Sequence, residues 1–205
     1  MTTIKQTLTP GAGVFQSLKN QAQFVYCTVA ERLIMAQFEF DTTIDSYWQF
    51  KFKMVRIKGA EFSPGFVLER DGRREFVILS DQLAKDKKLA DGIKQLLQRY
   101  KSEPIKVTIH RPTDIENNIL AKNLSYLYQF VLLPISKEEC LAVRNFFDYV
   151  TEASIKQLAA YLKTENIIYQ LLFRRGLRAE LSTQPITADL QVRLGPLINS
   201  IIKTA

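Results

Sequence analysis

Apolar and polar residues alternate with two different periods in the first two thirds of the chain. Residues 30–38 place their apolar side chains on one broad face, which predicts an amphipathic helix. Residues 47–57 alternate apolar with charged positions, which predicts one strand with a solvated face. Residues 66–69 and 75–79 are apolar runs on either side of Asp71-Gly72, a dipeptide that favours a hairpin turn.

The pattern then returns to a helix, a strand and a helix. Residues 87–100 form an amphipathic repeat and residues 105–110 alternate as a strand would. Thr113 is placed to cap a further helix that starts near Asp114. This order of elements predicts an α/β layer built on a small mixed sheet.

A proline separates this layer from the rest of the chain. Pro134 disfavours helix at the residue before it, and Ser136 with Glu139 has the spacing of a capping box. We therefore expect two domains, residues 1–135 and residues 136–205.

The second part predicts three helices followed by a β-hairpin. The helices cover residues 136–150, a segment capped by Ser154, and residues 166–175, the last ending at Gly176 as its C-cap. Two short strands follow, at 177–181 and 190–194. Three helices and a hairpin describe a winged helix-turn-helix, in which the third helix reads DNA.

Charge adds a candidate partner to this picture. Lys and Arg number 28 against 21 Asp and Glu, which gives a net charge of +7. A basic domain is suited to a polyanion such as DNA, although a basic surface also serves solubility alone. The sequence has no uncharged apolar run of the ~18 residues that a membrane span needs and no apolar core of a signal peptide. Together with two widely spaced cysteines, this predicts a cytoplasmic protein without a disulfide framework.

Familiar catalytic constellations are missing. His110 is the only histidine, so the sequence has no Cys/His metal pair. A Ser-His-Asp triad would need this same histidine, and a lone histidine at a strand end is far more often structural. The sequence contains no phosphate-binding glycine loop of the GxxxxGK[ST] or GxGxxG type. We therefore predict no metal site and no resident cofactor.

Several segments, in order along the chain, resemble TnsA, the restriction-endonuclease-like subunit of heteromeric bacterial transposons. The resemblance is carried by Glu31, by FEFD and IDSY at 38–41 and 44–47, by FSPGFV at 62–67, and by VILS at 77–80. It continues through SIKQL at 154–158, GLRAEL at 176–181, and PIT and VR at 185–187 and 192–193. It implies a restriction-endonuclease-like core with a C-terminal winged helix. It also implies DNA, a transposase subunit and an AAA+ ATPase regulator as partners, and a bacterial, nucleoid-associated location.

The same resemblance implies that the catalytic residues are degenerate. Gly65 stands where the family has its metal-binding Asp, and Ile78 and Ser80 stand where it has Glu/Gln and Lys. Of the four positions, Glu31 alone is a carboxylate, too little to hold Mg²⁺. We therefore expect a nuclease-inactive protein that bridges DNA with a transposase or an AAA+ regulator.

Two alternatives stay open. One is an active Mg²⁺-dependent endonuclease with relocated catalytic residues, drawn from charged residues at or after the hairpin: Glu69, Asp71, Glu75, Asp81, Lys85, Lys87 and Lys88. The other is a stand-alone DNA-binding regulator of a mobile element.

The predicted third helix of the winged domain supplies the candidate binding face. Once its aliphatic residues are assigned inward, the candidates that contact DNA or a protein partner are Asn166, Tyr169, Gln170, Arg174 and Arg175, with Arg178 on the following strand.

Overall fold

The computed structural model describes residues 12–49, 55–57, 60–62, 65–99 and 106–205, and the chain is mixed α/β as predicted. It divides into two compact units, Met1–Asn117 and Asn118–Ala205.

The first unit is built around a four-stranded sheet. Its elements are β1 (Gly13–Ser17), β2 (Ala22–Tyr26), α1 (Val29–Phe40), β3 (Ile44–Gln49), β4 (Val55–Ile57), β5 (Ala60–Phe62), β6 (Phe66–Arg70), β7 (Arg73–Leu79), α2 (Asp81–Lys85), α3 (Lys87–Arg99), β8 (Lys106–His110) and α4 (Pro112–Asn117). The strand order is β3-β6-β7-β8, with β7 and β8 parallel and the other neighbours antiparallel. Helices α2 and α3 make the crossover between the two parallel strands.

The hairpin between β6 and β7 turns where the sequence predicts. Asp71 and Gly72 both have positive φ, at 50° and 70°, as a two-residue turn of this twist requires. The resulting register pairs Phe66 with Val77. Helix α1 packs against the sheet through Phe38, whose ring lies 5.3 Å from that of Phe66.

Two local predictions for this unit are wrong, and one hairpin was not predicted. The alternating segment 47–57 is not one strand, because β3 ends at Gln49 and residues 55–57 pair with β5 in a separate hairpin; residues 50–54 lie outside the described part. The β1–β2 hairpin was not expected. Thr113 lies inside α4, which begins with Pro112 at its first turn, where a missing N–H costs nothing.

The second unit contains five helices and a small sheet, all within its described residues. Its elements are α5 (Ile119–Val131), α6 (Lys137–Phe146), β9 (Ala153–Ser154), α7 (Ile155–Leu162), α8 (Asn166–Phe173), β10 (Leu177–Arg178), β11 (Gln191–Leu194) and α9 (Ile198–Thr204). Strand β11 lies between β10 and β9, and both pairings are antiparallel. The predicted caps are confirmed, because Ser136 and Ser154 both close capping boxes.

Two details of this unit differ from expectation. The boundary between the compact units falls at Asn117/Asn118 rather than at 135/136. The reason is that α5 packs on α8, where the ring of Phe130 lies against that of Tyr169. Helix α8 does not end on Gly176. Its left-handed residue is Arg175, with φ of 61°, and a Cβ on Gly176 would lie 2.8 Å from Leu171 Cδ2, so that side chain would have to shift to accept one.

Candidate functional site

The carboxyl end of β7 holds the positions that the resemblance assigns to catalysis. Gly65 precedes β6 and is buried; a Cβ on it would lie 1.5 Å from the carbonyl oxygen of Val77. Ile78 is an aliphatic residue, and Ser80 Oγ accepts a hydrogen bond from Leu83 N at 3.2 Å as the N-cap of α2. These three positions therefore supply no carboxylate.

Glu31 has a structural task in the first turn of α1. Its Oε2 accepts hydrogen bonds from the backbone N–H groups of Cys27 at 2.6 Å and Thr28 at 3.2 Å, while Thr28 Oγ1 accepts from Glu31 N. This capping box satisfies amides that the helix leaves unpaired. The carboxylate is thus explained without a metal.

The four carboxylates that a relocated site could use lie at two different places. Asp81 lies beyond the carboxyl end of β7, whereas Glu69, Asp71 and Glu75 lie towards the hairpin at its other end. Across the described residues, no three His, Cys, Asp or Glu side chains are grouped so that they could hold a metal ion.

Glu75 instead anchors a network of charges on the sheet. It is buried in β7, accepts a hydrogen bond from Thr108 Oγ1, and lies 3.0 Å from Lys106 Nζ. Arg70 lies 3.8 Å from Glu75 and 3.1 Å from Asp41. Burial raises the pKa of Glu75, but the hydrogen bonds and the two cations outweigh it and hold the pKa below its ordinary value.

A second buried carboxylate, Glu39, fixes the β1–β2 hairpin against α1. It accepts hydrogen bonds from Ser17 Oγ at 2.6 Å, Tyr47 OH at 2.8 Å and Lys19 N at 3.2 Å. The Lys19 ammonium group reaches the carbonyl oxygens of Asp41 and Ile44 beyond the end of α1. Sequence reasoning assigned no role to Glu39, because its partners lie in elements far from it along the chain.

The expected outward face of α8 is covered, which corrects the sequence interpretation. Residues Ile167 to Phe173 are all buried, including Tyr169 at 7% and Gln170 at 2% exposure. The Tyr169 ring lies 4.8 Å from Phe130 and 5.4 Å from Tyr126, both on α5. Burial, together with its hydrogen bond to Glu165, raises the pKa of Tyr169. Tyr169 and Gln170 are therefore not available to a partner on this helix.

The polar residues at the ends of α8 have different surroundings. Arg174 is half-buried and donates from Nη2 to Val131 O at 3.0 Å, which caps the last turn of α5. Arg175 is also half-buried, in the left-handed conformation. Asn166 and Arg178 are exposed, so of the six predicted residues these two are open to solvent.

Arg178 belongs to a row of charges across the three-stranded sheet. It is the cross-strand partner of Arg193, so both side chains are on one face. Arg193 Nη2 lies 3.0 Å from Glu152 Oε2, just before β9. Among the described residues, Arg178 forms no ion pair. Sequence reasoning missed Arg193 because the pairing register was not predictable.

Asn123 on α5 organises the loop between β10 and β11. Its Nδ2 donates to the carbonyl oxygens of Leu181 and Gln184, each at 2.8 Å, and its Oδ1 accepts from Ile186 N at 3.2 Å. The side chain is buried. A single amide thus determines the path of residues 181–186.

No protein-family model matches this chain, and no curated protein matches it. In the parts of the chain that are described, no helix is both long enough and apolar enough to cross a membrane.

Proposed function

We propose that this chain is a TnsA-like DNA-transposition protein that holds DNA without cleaving it. The observation that carries the proposal is Gly65, where the backbone of Val77 occupies the space that a catalytic Asp side chain would need. The order α1, β3, β6, β7, crossover helices and β8 supports a restriction-endonuclease-like core. In such a core the metal-binding Asp lies at the start of the strand that corresponds to β6, and Gly65 directly precedes β6 in this chain.

The second unit supports the other half of the assignment. Its order of α6, β9, α7, α8, β10 and β11 is compatible with a winged helix that has a short strand between its first two helices. The extra helix α5 covers α8.

The residues at the family's catalytic positions do not fit Mg²⁺. Such a site needs oxygen ligands converging on one point. Gly65 and Ile78 have no side-chain oxygen, and the Ser80 hydroxyl accepts a hydrogen bond from the Leu83 N–H. The Glu31 carboxylate accepts hydrogen bonds from two backbone N–H groups. We therefore propose no cleavage step, and we assign the protein a binding role.

The charge of the chain supports DNA as the partner that is held. At a net charge of +7, phosphate neutralisation with release of counterions supplies a driving force for binding. We propose that the protein bridges DNA to a transposase subunit and an AAA+ ATPase regulator, in the cytoplasm and on the bacterial nucleoid.

Two assays on the full chain test this function. Supercoiled plasmid with Mg²⁺ or Mn²⁺ should stay intact, and a short labelled duplex should bind with an affinity that falls by a log–log slope of roughly −0.9 per phosphate contact as salt rises. Glu31→Gln is the control, because it should leave both results unchanged.

Each other outcome selects a different function. Nicking that EDTA abolishes would establish the endonuclease with relocated residues. Tight binding of one particular duplex, with no transposase or ATPase recovered on purification, would favour the stand-alone regulator. Absence of duplex binding at low salt would overturn the DNA-holding role.

A further inference from the structure

Helix α8 offers little surface for a DNA contact, because Asn166 at its N-terminus is its one exposed residue. All residues from Ile167 to Phe173 are buried, and α5 lies over the side that carries Tyr169. A helix that reads a groove must present side chains to it. Another surface of the unit is therefore better suited to the contact.

The row of charges on the three-stranded sheet is the best candidate. Arg178 and Arg193 face each other directly across β10 and β11, where like charges destabilise a sheet. Glu152 neutralises Arg193 from the other side at 3.0 Å, but within the described residues Arg178 has no such carboxylate. An anion bound between the two guanidinium groups would remove the repulsion, and arginine binds phosphate through two parallel hydrogen bonds.

The loop beside this pair is held ready for a partner. Three hydrogen bonds, two donated by Asn123 Nδ2 and one accepted by its Oδ1, fix residues 181–186, although the loop itself is on the surface. Its exposed side chains include donors suited to phosphate and sugar oxygens: Thr183, Gln184 and Thr187. Ordering a loop before binding lowers the entropy lost on association.

The loop carries two carboxylates, Glu180 and Asp189, which differ in their hydrogen bonds within the loop. Glu180 is exposed, and its carboxylate accepts hydrogen bonds from Ser182 N at 2.9 Å and from the Ser182 hydroxyl group. Asp189 is exposed. Asp189 therefore opposes a polyanion, and its removal should strengthen binding.

We propose that Arg178 and Arg193 bind the phosphate backbone of duplex DNA, together with the loop 179–190, and that Asn123 is a positioning residue which touches no DNA. This surface rests on the DNA-holding function proposed above and specifies where that function is carried out. It replaces α8 as the nucleic-acid contact of the second unit.

Salt-dependent binding of a short fluorescent duplex to the full chain tests the surface. Arg178→Glu should weaken binding at least tenfold at physiological salt, and Arg178→Ala should reduce the log–log salt slope by about one. The matched control is Arg144→Glu, an exposed arginine on α6 in the same unit, which makes the same change in net charge and should alter affinity less than twofold. Asp189→Asn should tighten binding.

Asn123→Ala separates positioning from contact. Residues 181–186 should lose hydrogen-exchange protection in this variant even without duplex, and affinity should fall with it. Reduced affinity with the parent's protection would place Asn123 in the contact itself and contradict its assigned role. If Asn123→Ala does not fold, hydrogen exchange of residues 181–186 is measured in Asn123→Ser instead, with and without duplex. Protection that is unchanged from the parent would contradict the positioning role.

The outcomes distinguish the two proposals. If the parent binds DNA but Arg178→Glu and Arg144→Glu lose affinity equally, the surface is wrong while the DNA-holding function stands. If the parent binds no duplex at low salt, both proposals fail.

Discussion

The Val77 carbonyl oxygen lies 1.5 Å from the position that a Cβ on Gly65 would occupy. Real Cβ atoms do not approach a backbone oxygen so closely, so this glycine is required by the close approach of the chain before β6 to β7. Replacing Gly65 by Asp, the residue that TnsA proteins have at this position, would therefore push the start of β6 away from β7 before the new carboxylate could bind a metal ion.

Gly65→Ala should lower the free energy of unfolding by about 3 kcal/mol, at the upper end of what overpacking costs in a core. Urea unfolding followed by circular dichroism measures this. Gly92→Ala in α3 is the matched control, because its Cβ would meet no atom within 4 Å and an alanine inside a helix should add about 0.5–1 kcal/mol. Equal stability of the two variants would contradict the close approach.

The triple replacement Gly65→Asp, Ile78→Glu and Ser80→Lys should accordingly give no metal-dependent nicking. It should also unfold at lower urea than the parent, both because of the clash and because Ser80 no longer caps α2. If the triple variant folds and nicks plasmid in the presence of Mg²⁺, and EDTA abolishes the nicking, then β6 can move to make room for the Asp side chain.

Glu75 should make the stability of the first unit depend on acid pH. Its pKa is held below the ordinary glutamate value, so its contribution is complete above the pKa of the unfolded chain and is lost as pH falls through the folded pKa. Glu75→Gln should cost about 1 kcal/mol near pH 7 and lessen the loss of stability below about pH 5. Urea titrations at several pH values measure both effects.

A control for this experiment is Glu138→Gln, an exposed carboxylate in the first turn of α6. Its removal should leave the acid loss of the first unit unchanged. If Glu75→Gln and the parent lose stability in parallel between pH 5 and pH 3, the network around Glu75 does not hold the ionised form.

Strand signals predicted β6, β7 and β8 of the central sheet because each of these segments had a clear period and a clear stop. Asp71-Gly72 supplies both positive-φ residues of the β6–β7 turn. The β1–β2 hairpin turns through Gln21, which has φ of 50° without being glycine, so the usual turn signal was missing. Alternation over residues 47–57 likewise does not indicate where one strand stops and another begins.

The candidate site was harder to predict because burial depends on elements distant in sequence. Helical periodicity placed the aliphatic residues of α8 inward, as the structure has them, but it expected Tyr169 and Gln170 to face outward. The cause was the assignment of α5 to the first domain, which left Tyr169 without its neighbours Tyr126 and Phe130. Arg193 became a candidate only through its register with Arg178. No local pattern could supply either contact.

Glu39 should be a main attachment between the β1–β2 hairpin and α1. Glu39→Ala leaves Ser17 and Tyr47 without their acceptor and should cost about 2–3 kcal/mol, whereas Tyr47→Phe removes one donor and should cost about 1 kcal/mol. The double variant should cost little more than Glu39→Ala, since the two residues share one interaction. Fully additive losses in urea unfolding would show that the hydrogen bond contributes nothing.

Arg174 and Arg178 lie close together in sequence, but their replacement should affect different properties. Arg174 donates to Val131 O at 3.0 Å, so Arg174→Ala should cost about 1–2 kcal/mol by leaving the end of α5 uncapped. Arg178→Ala is the matched control and should change stability by less than about 0.5 kcal/mol, because the side chain is exposed. Conversely, Arg178→Ala should weaken DNA binding.

Cys140 reports the stability of the second unit without a separate probe. Its thiol is buried in α6, and burial raises its pKa, so it should react with a disulfide reagent only when the unit opens. Cys27 is exposed and is replaced by serine to leave one reporter. In this background Arg174→Ala should increase the labelling rate of Cys140 roughly five- to thirty-fold, which corresponds to its loss of stability, while Arg178→Ala should match the parent. Equal rates for all three proteins would mean that Arg174 does not stabilise α5 against the rest of the unit.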